Sequence, residues 1–357
     1  PWSEPVLPDV AGLERFEGHA FHSSRWDHEH SLDGANVAVI GTGASAVQFV
    51  PEIRRRAARV TVYQRTAQWI LPKPDRPISR AERALYRRVP AAQRALRQGV
   101  YLMSEGVGVA TRRPRAMRQL QRIAELHLRL GVRDPRLRRA LTPDHVLGCK
   151  RPLFSNNWYP ALSAANVELV PHAVEEIRPR GVLGADGVER PADTLILGTG
   201  FTITKLPIAA RVRGRHGLTL DETWRGSPRG HLGTTVAGFP NFFMLLGPNV
   251  GNAHSSAILL HEVQAGYVIE ALRTLDRLGI ASLDVREEVQ HAFNAEVDRR
   301  LVGSIWNAGG CANYYLDVNG RNATIFPGST FELRRRLRSV DPDEHLTTVR
   351  PATPAAV

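Results

Sequence analysis

The chain of 357 residues is poor in cysteine, methionine and lysine, with two, three and three respectively. Cys149 and Cys311 lie far apart and match no zinc or C-x-x-C spacing, so the sequence suggests neither a disulfide framework nor a metal site. A reducing cytoplasm is the expected compartment. Apolar runs such as Phe242 to Leu246 stop far short of the ~18–20 residues that a membrane-spanning helix needs. The chain opens on Pro1 without a charged-then-apolar leader, which reads as no signal peptide and as a start cut from something longer. No repeat of 20–50 residues is visible.

What is present suits a globular enzyme, with 43% apolar and 23% charged residues. The length fits about two domains, each able to bury a core. The net charge of +12 is concentrated in one place, because Ser79 to Arg139 holds sixteen arginines and four acids. A basic helical block of this kind suits nucleic acid, an anionic membrane surface or an anionic cofactor. It lacks the interleaved aromatics of a nucleic-acid platform. The favoured reading is a solvated helix surface, with no nucleic-acid partner, no integral membrane segment and peripheral membrane contact left open.

Residues 1–34 are rich in Pro, His and Trp and read as an irregular linker. Asn36-Val-Ala-Val-Ile40 is a β-branched run typical of a buried parallel strand, and it leads straight into Gly41-Thr-Gly43-Ala-Ser-Ala46. Ala46, Val47, Phe49, Val50 and Ile53 then share a helical face, and Arg54, Arg55 and Arg56 close that helix where cations favour its dipole. A second strand follows at Val60 to Gln64. Helical periodicity covers 79–145, broken at Pro90, Pro114 and Pro135, and reads as an Arg-rich insert. Strand character returns from Val167 to Leu197, so that 35–78 and 146–205 form one nucleotide-binding domain. Residues 206–340, with helices near 255–278 and 286–301, form a further region, and 341–357 read as a loose tail.

Strand, glycine turn, helix and strand within about 30 residues is the context that distinguishes a dinucleotide site from a bare tight turn. Gly41 permits the bend, Gly43 lets backbone approach a pyrophosphate, and Ala46 lets helix and strand pack closely. The free N–H groups of Ala44 and Ser45 would face the phosphates. NAD sites carry an acid at the end of the second strand, whereas here Gln64 is followed by Arg65 and Thr66. A cation beside a hydroxyl suits a 2′-phosphate, so NADP is the expected cofactor. The alternative for Arg65 is one more surface arginine. His19, His22, His28 and His30 fit no helix face and no cysteine joins them, so no metal is assigned.

Phe16-x-Gly18-x-x-x-His22-x-x-x-Trp26-Asp27, directly ahead of the glycine turn, resembles the fingerprint of Baeyer–Villiger monooxygenases at every fixed position. Gln64-Arg65-Thr66, Cys149-Lys150-Arg151-Pro152, Gly198-Thr199-Gly200-Phe201, Phe239 to Asn249, Gly320-Arg-Asn322 and Phe326-Pro-Gly328 are similar to motifs of the wider flavin-containing monooxygenase group. The resemblance runs from Pro1 to about Phe331. It implies an α/β fold in which a Rossmann-like NADP-binding domain carries the helical insert and is followed by the C-terminal part of a Rossmann-like FAD domain. The family's opening FAD-binding strand and G-x-G-x-x-G turn have no counterpart here, and Gly106-x-Gly108 has no strand before it. Smaller departures are Gly198 for Ala, Asn313-Tyr-Tyr315 for S-W-Y and Phe326 for Trp.

The resemblance also implies roles. NADPH and FAD are the cofactors, and O2 and a small organic molecule are the substrates. The expected reaction is Baeyer–Villiger oxidation of a ketone to an ester or lactone. Oxygenation of sulfur, nitrogen or a long-chain hydrocarbon is the alternative within the class, and a non-catalytic NADP-binding fragment needing a partner lies outside it. Arg151 matches the family's active-site arginine and would stabilise the oxyanion of the ketone adduct with a charge it cannot lose. Lys150 would join Arg65 on the 2′-phosphate. Without the resemblance, Lys150 and Arg151 read as surface charges ahead of a strand. Thr199, Gly200 and Asn249 are placed at the cofactors, the last in a G-P-N loop that, with Gly251 and His254, would face the flavin or simply cap a helix. Phe16, Gly18, His22, Trp26 and Asp27 are expected to couple NADP binding to domain motion and not to perform chemistry.

Overall fold

The computed structural model describes residues 4–252, 254–311 and 313–349. In chain order it contains β1 (His19–His22), β2 (Asn36–Ile40), α1 (Ala44–Ile53), β3 (Arg59–Tyr63), β4 (Ile70–Leu71), α2 (Arg80–Arg88), α3 (Pro90–Thr111), α4 (Pro114–Gly131) and α5 (Pro135–Ala140). There follow β5 (Leu153–Phe154), α6 (Trp158–Leu162), β6 (Val167–Val170), β7 (Val174–Arg178), β8 (Gly181–Gly184), β9 (Glu189–Pro191) and β10 (Thr194–Leu197). The last stretch holds α7 (Leu220–Trp224), α8 (Ala257–Leu278), β11 (Ile280–Val285), α9 (Glu287–Leu301), α10 (Ile305–Ala308), α11 (Thr330–Arg336) and β12 (His345–Val349).

The chain divides into two compact units, one of residues 1–76 and 118–203 and one of residues 77–117 and 204–357. The first is built on a parallel sheet in the order β1-β10-β2-β3-β6. Val37, Ala38 and Val39 of β2 and Val60 and Val62 of β3 are almost wholly buried, as a sheet covered on both faces requires. On one face α1 contributes Ala46, Val47, Val50 and Ile53 to a core that also takes Leu128, Val132, Trp158 and Tyr159. The antiparallel meander β7-β8-β9 adds Ile177 and Val182 to a second core with Tyr63 and Leu195. This is the Rossmann-type α/β organisation read from the sequence.

Three features depart from that reading. The 1–34 segment is not an irregular lead-in, because β1 pairs with β10 from His19↔Thr194 to His22↔Leu197 and extends the parallel sheet. The 341–357 segment is not wholly a tail, because β12 pairs antiparallel with β11, Val285↔His345 to Ile280↔Val349; residues 350–357 lie outside the described residues. The helices of the insert do not form a body of their own, since α2 and α3 belong to the second unit and α5 to the first. Pro90, Pro114 and Pro135 open α3, α4 and α5, where a missing N–H costs nothing. Neither cysteine is a free thiol, which corrects the expectation drawn from their number and spacing.

The second unit packs Leu220, Trp224, Val236, Phe239 and Met244 into its own core, and it buries Trp306, Tyr315 and Phe326. Ser79 and Glu82 form a reciprocal capping box that starts α2. No helix among the described residues is long and apolar enough to cross a membrane.

Candidate functional site

The two glycine turns meet at the ends of neighbouring strands. Gly41 follows β2 and Gly198 follows β10; the Gly198 N–H donates to the Ile40 carbonyl (2.8 Å) and the Gly41 N–H to that of Tyr63 (3.1 Å). Gly41 has φ +107°, and a Cβ there would sit 2.5 Å from the Gly198 carbonyl oxygen, so the turns abut through a contact that leaves no room for a side chain. Gly43 is different. It caps α1 in an extended conformation, and a Cβ on it would meet no atom within 4 Å. No side chain caps α1, so the N–H groups at its start, Ala44, Ser45 and Ala46, have no side-chain acceptor there. Ala46 is fully buried and lets the helix lie against the sheet.

Beside these turns stand the cations. Arg65 is exposed and Lys150 half-buried. Burial first, then the charge of Arg65, pushes the Lys150 ammonium below the usual lysine range, while Asp144 opposes the shift. Two cations are therefore held close enough to repel each other. Neither makes a hydrogen bond or ion pair among the described residues, and neither does the exposed Arg151. Thr42 is buried and donates from Oγ1 to the Thr66 carbonyl (3.3 Å), tying the first turn to the end of β3. Thr199 spends its hydroxyl on the Val6 carbonyl, and Gly200 accepts from the Val6 N–H (2.9 Å).

The fingerprint residues lie on β1 and just beyond it. A Cβ on Gly18 would stand 2.4 Å from the Asp193 carbonyl oxygen and 2.7 Å from the Phe16 ring, so this glycine lets β1 reach β10. Phe16 packs on the core beneath β7 and β8. Trp26 meets Phe21 edge-on (5.1 Å) and Phe49 of α1 (5.4 Å). Asp27 pairs with His19 at 2.9 Å, and the Glu29 backbone N–H first, then His19, hold its carboxyl below the usual range. His22 is buried against Phe201. Its Nδ1 accepts from the Ser24 N–H (3.1 Å), which leaves the proton on Nε2. Nε2 faces the Gly200 backbone without a hydrogen bond of ordinary geometry. Burial is the main cause of a lowered imidazole pKa, so His22 is neutral at pH 7.

In the second unit, the Gly247 to Gly251 loop is fixed from several sides. The Leu246 N–H donates to Gln264 Oε1 (2.9 Å) and the Gly251 N–H to the Thr324 carbonyl (3.0 Å). Asn249 is fully buried at φ +55°. Its amide donates to the carbonyls of Asn322 (2.8 Å) and Ile325 (3.1 Å) and accepts from Arg321 Nη2 (2.7 Å). This side chain is saturated by protein and shapes the loop, so any contact with a cofactor would come through the loop's backbone. The buried Arg321 also reaches Asp298, Asn294 and the Pro228 carbonyl, which accounts for the Gly320-Arg-Asn322 motif as an anchor.

Sequence reading missed Asp144 and His145 beside Lys150, the saturation of Asn249, and a buried Glu105–His254 pair in the second unit at 3.6 Å. None lies on a periodic face or a recognisable spacing. No cluster of three or more metal-ligating side chains stands among the described residues; His19 instead stacks on His30 at 4.2 Å.

A parallel sheet with a glycine turn, a bare helix start and unpaired cations defines a dinucleotide-binding protein, and residues 3–81 match the model of flavin-binding monooxygenase-like proteins. The whole chain is 45% identical over 360 residues to a Baeyer–Villiger monooxygenase of Streptomyces coelicolor, of which it covers 69%. It is also 45% identical to a Baeyer–Villiger monooxygenase of Pseudomonas aeruginosa, with 97% of this chain and 66% of that one aligned. An oxidised steroid monooxygenase bound to NADP superposes with a TM-score of 0.83 at 28% identity, over 97% of this chain and 73% of that one. The chain belongs to the Baeyer–Villiger monooxygenase family, whose members are flavin-dependent enzymes, and it spans about two thirds of the length of these relatives.

Proposed function

We propose that this chain carries the NADPH side of a flavin-dependent monooxygenase that converts a ketone to an ester or lactone. Ketone, O2, NADPH and a proton give ester, water and NADP+. The observation that carries the reading is the uncapped start of α1, together with Arg65 next to Thr66, whose carbonyl is bound by Thr42 of the same glycine turn. Among the described residues no carboxylate is ion-paired with Arg65 or Lys150, and the open space at Gly43 leads to the N–H groups of α1. Such a site fits a dinucleotide with a 2′-phosphate. Gly41, Thr42, Gly43 and Ala44 to Ala46 would hold the pyrophosphate, and Arg65, Thr66 and Lys150 the phosphorylated ribose.

FAD, when bound, supplies the oxygen activation. Among the described residues there is a single strand–glycine turn–helix cradle, and the reading assigns it to NADP. The chain's share of the flavin site would therefore be the Gly247 to Gly251 loop, rigidly held from behind by Asn249 and Arg321. Arg151 would orient and stabilise the developing oxyanion of the ketone adduct; it keeps its proton at any working pH and offers a rigid fork of donors. His22, neutral and packed on Phe201, would report on the Gly200 turn and take no proton. An NADPH-consuming enzyme works where that cofactor is kept reduced, which supports a cytoplasmic site of action.

The test is to add FAD, desalt, and record the visible spectrum before and after NADPH in air, then to screen ketones and sulfides for oxygenated product. A retained flavin band that NADPH bleaches, with ester formed, supports the reading. Sulfoxide without ester moves it to heteroatom oxygenation. No retained flavin, with NADPH still bound, makes this chain the NADP-binding part of a longer enzyme.

A further inference from the structure

The segment that leads into α8, residues 247–252 and 254–256, is anchored in two different ways. Its first half is pinned by the backbone and amides described above. Its second half meets the insert helix α3. The His254 side chain is 2% exposed, and its ring fills a notch at Gly108, where a Cβ would stand 2.6 Å from Cε1 and Nε2. One turn earlier on the same helix is Glu105, buried, with Oε1 3.6 Å from His254 Nε2. The carboxylate is itself fixed, accepting from the Thr330 N–H (3.2 Å to Oε1) and from the Thr330 hydroxyl. Tyr101, a further turn back, shares that hydroxyl at 2.5 Å and packs on Phe331. Among the described residues neither ring nitrogen of His254 has a hydrogen-bond partner, and the Glu105 carboxylate stands 3.6 Å from Nε2.

We propose that Glu105 is a positioning residue for the loop before α8: its carboxylate and the Gly108 notch hold the His254 ring, and with it residues 254–256, on α3. Its bearing on the reaction rests on the reading above that the loop borders the flavin. α3 offers no apolar stripe at this point, since its buried residues are Glu105, Gly108 and Thr111. The docking is thus one of shape and charge, and it fixes the loop more narrowly than a greasy contact does. The groups facing the ring are Glu105, which favours its protonated form, and Arg112, which opposes it; Tyr101 lies beside the carboxylate, and Arg334 acts on Tyr101. Burial outweighs the carboxylate and lowers the imidazole pKa. At pH 7 the ring is neutral and would point Nε2–H at Glu105.

The experiment uses the full chain, needs no cofactor, and so stands apart from the test of the monooxygenase reading. Histidine-labelled protein is titrated by NMR, with His254→Gln identifying the signal, and amide exchange is followed over 247–260. Glu105→Gln, which keeps the shape, should lower the His254 midpoint by about one unit, a tenfold loss of proton affinity, because the favourable charge is gone. Gly108→Ala, which expels the ring, should speed exchange over 247–260 about tenfold while leaving α9 unchanged. An unmoved midpoint in Glu105→Gln, or unchanged exchange in Gly108→Ala, overturns the proposal.

Discussion

Replacing Arg65 by Ala tests the cofactor site most directly. NADPH differs from NADH by one phosphate of nearly two negative charges, so a residue on that phosphate must act on one cofactor and not the other. A hydrogen bond to a charged group contributes about 1.5–3 kcal/mol, and an exposed guanidinium sits at the low end because solvent screens it. The direct loss is about tenfold in NADPH affinity. Arg65 also lowers the Lys150 pKa, after burial, and that coupling acts on affinity only on the alkaline side. Lys150→Ala, which removes the more buried cation, should cost NADPH more than Arg65→Ala does. Neither variant should change NADH affinity by more than about twofold.

The pH dependence follows with a definite sign. A lysine with a lowered pKa loses its charge at lower pH than an ordinary lysine, so NADPH affinity should decline earlier on the alkaline side in wild type. In Arg65→Ala the decline moves to higher pH. Calorimetric titration of both nucleotides against wild type, both single variants and the double variant gives all these values. Equal losses for NADPH and NADH would mean that Arg65 supports the turn and not the phosphate, and no loss at all would refute the site.

Three further outcomes are expected. In the flavin-loaded complete enzyme, Arg151→Ala should bind NADPH within about threefold of wild type and still oxidise it, yet yield no ester by gas chromatography; full product formation removes Arg151 from the mechanism. Arg151→Lys should recover little, because an ammonium keeps the charge and loses the fork. His231 is buried against Phe293 with neither nitrogen hydrogen-bonded among the described residues, and burial, then His345 and Arg336, holds its pKa down to about 4. The unfolded chain takes that proton near pH 6.5, so stability falls as pH drops from 6.5 towards 4, by about 2 kcal/mol at pH 5. Urea midpoints at pH 7.5 and 5 should show the loss in wild type and a smaller one in His231→Gln; an equal loss in both assigns it elsewhere.

The nucleotide-binding core was legible because its signals are local. β2, the glycine turn, α1 and β3 occupy fewer than 30 consecutive residues, and each announces the next. β1 was not legible, although its residues carry the most specific motif in the chain. His19-Ala-Phe-His22 is short and polar, and it becomes a strand by pairing with β10, more than 170 residues later. β12 was hidden for the same reason, since it is a strand through β11 alone. The insert's division between two units could not be read from prolines, which start its helices without saying what each helix packs against. On α4 the apolar Ala124 and Leu128 mark a buried face. On α3 the buried face is Glu105, Gly108 and Thr111, a set that periodicity reads as solvent-facing. Asn249 was found by its motif, but its side-chain bonds to Asn322, Ile325 and Arg321 were not legible, because a motif identifies a necessary residue without showing whether protein or ligand needs it.

Glycines in the turns allow that last distinction to be made by experiment. Gly41 is required by the protein itself, since φ +107° and the Gly198 carbonyl 2.5 Å from a would-be Cβ exclude any side chain. Gly43 is not. Its φ of −77° suits alanine, the space at its Cβ is empty of protein, and an N-cap change from Gly to Ala costs a helix at most about 1 kcal/mol. Gly41→Ala should therefore lower stability and, through misfolding of the turn, affinity as well. Gly43→Ala should leave the thermal midpoint nearly unchanged and weaken NADPH and NADH together by tenfold or more, because the methyl group occupies the approach to the pyrophosphate that both share. This pattern is the complement of the Arg65 result, in which one cofactor alone is affected. If Gly43→Ala binds both nucleotides as wild type does, the pyrophosphate does not lie on α1, and the cations at Arg65 and Lys150 would have to serve a different anion.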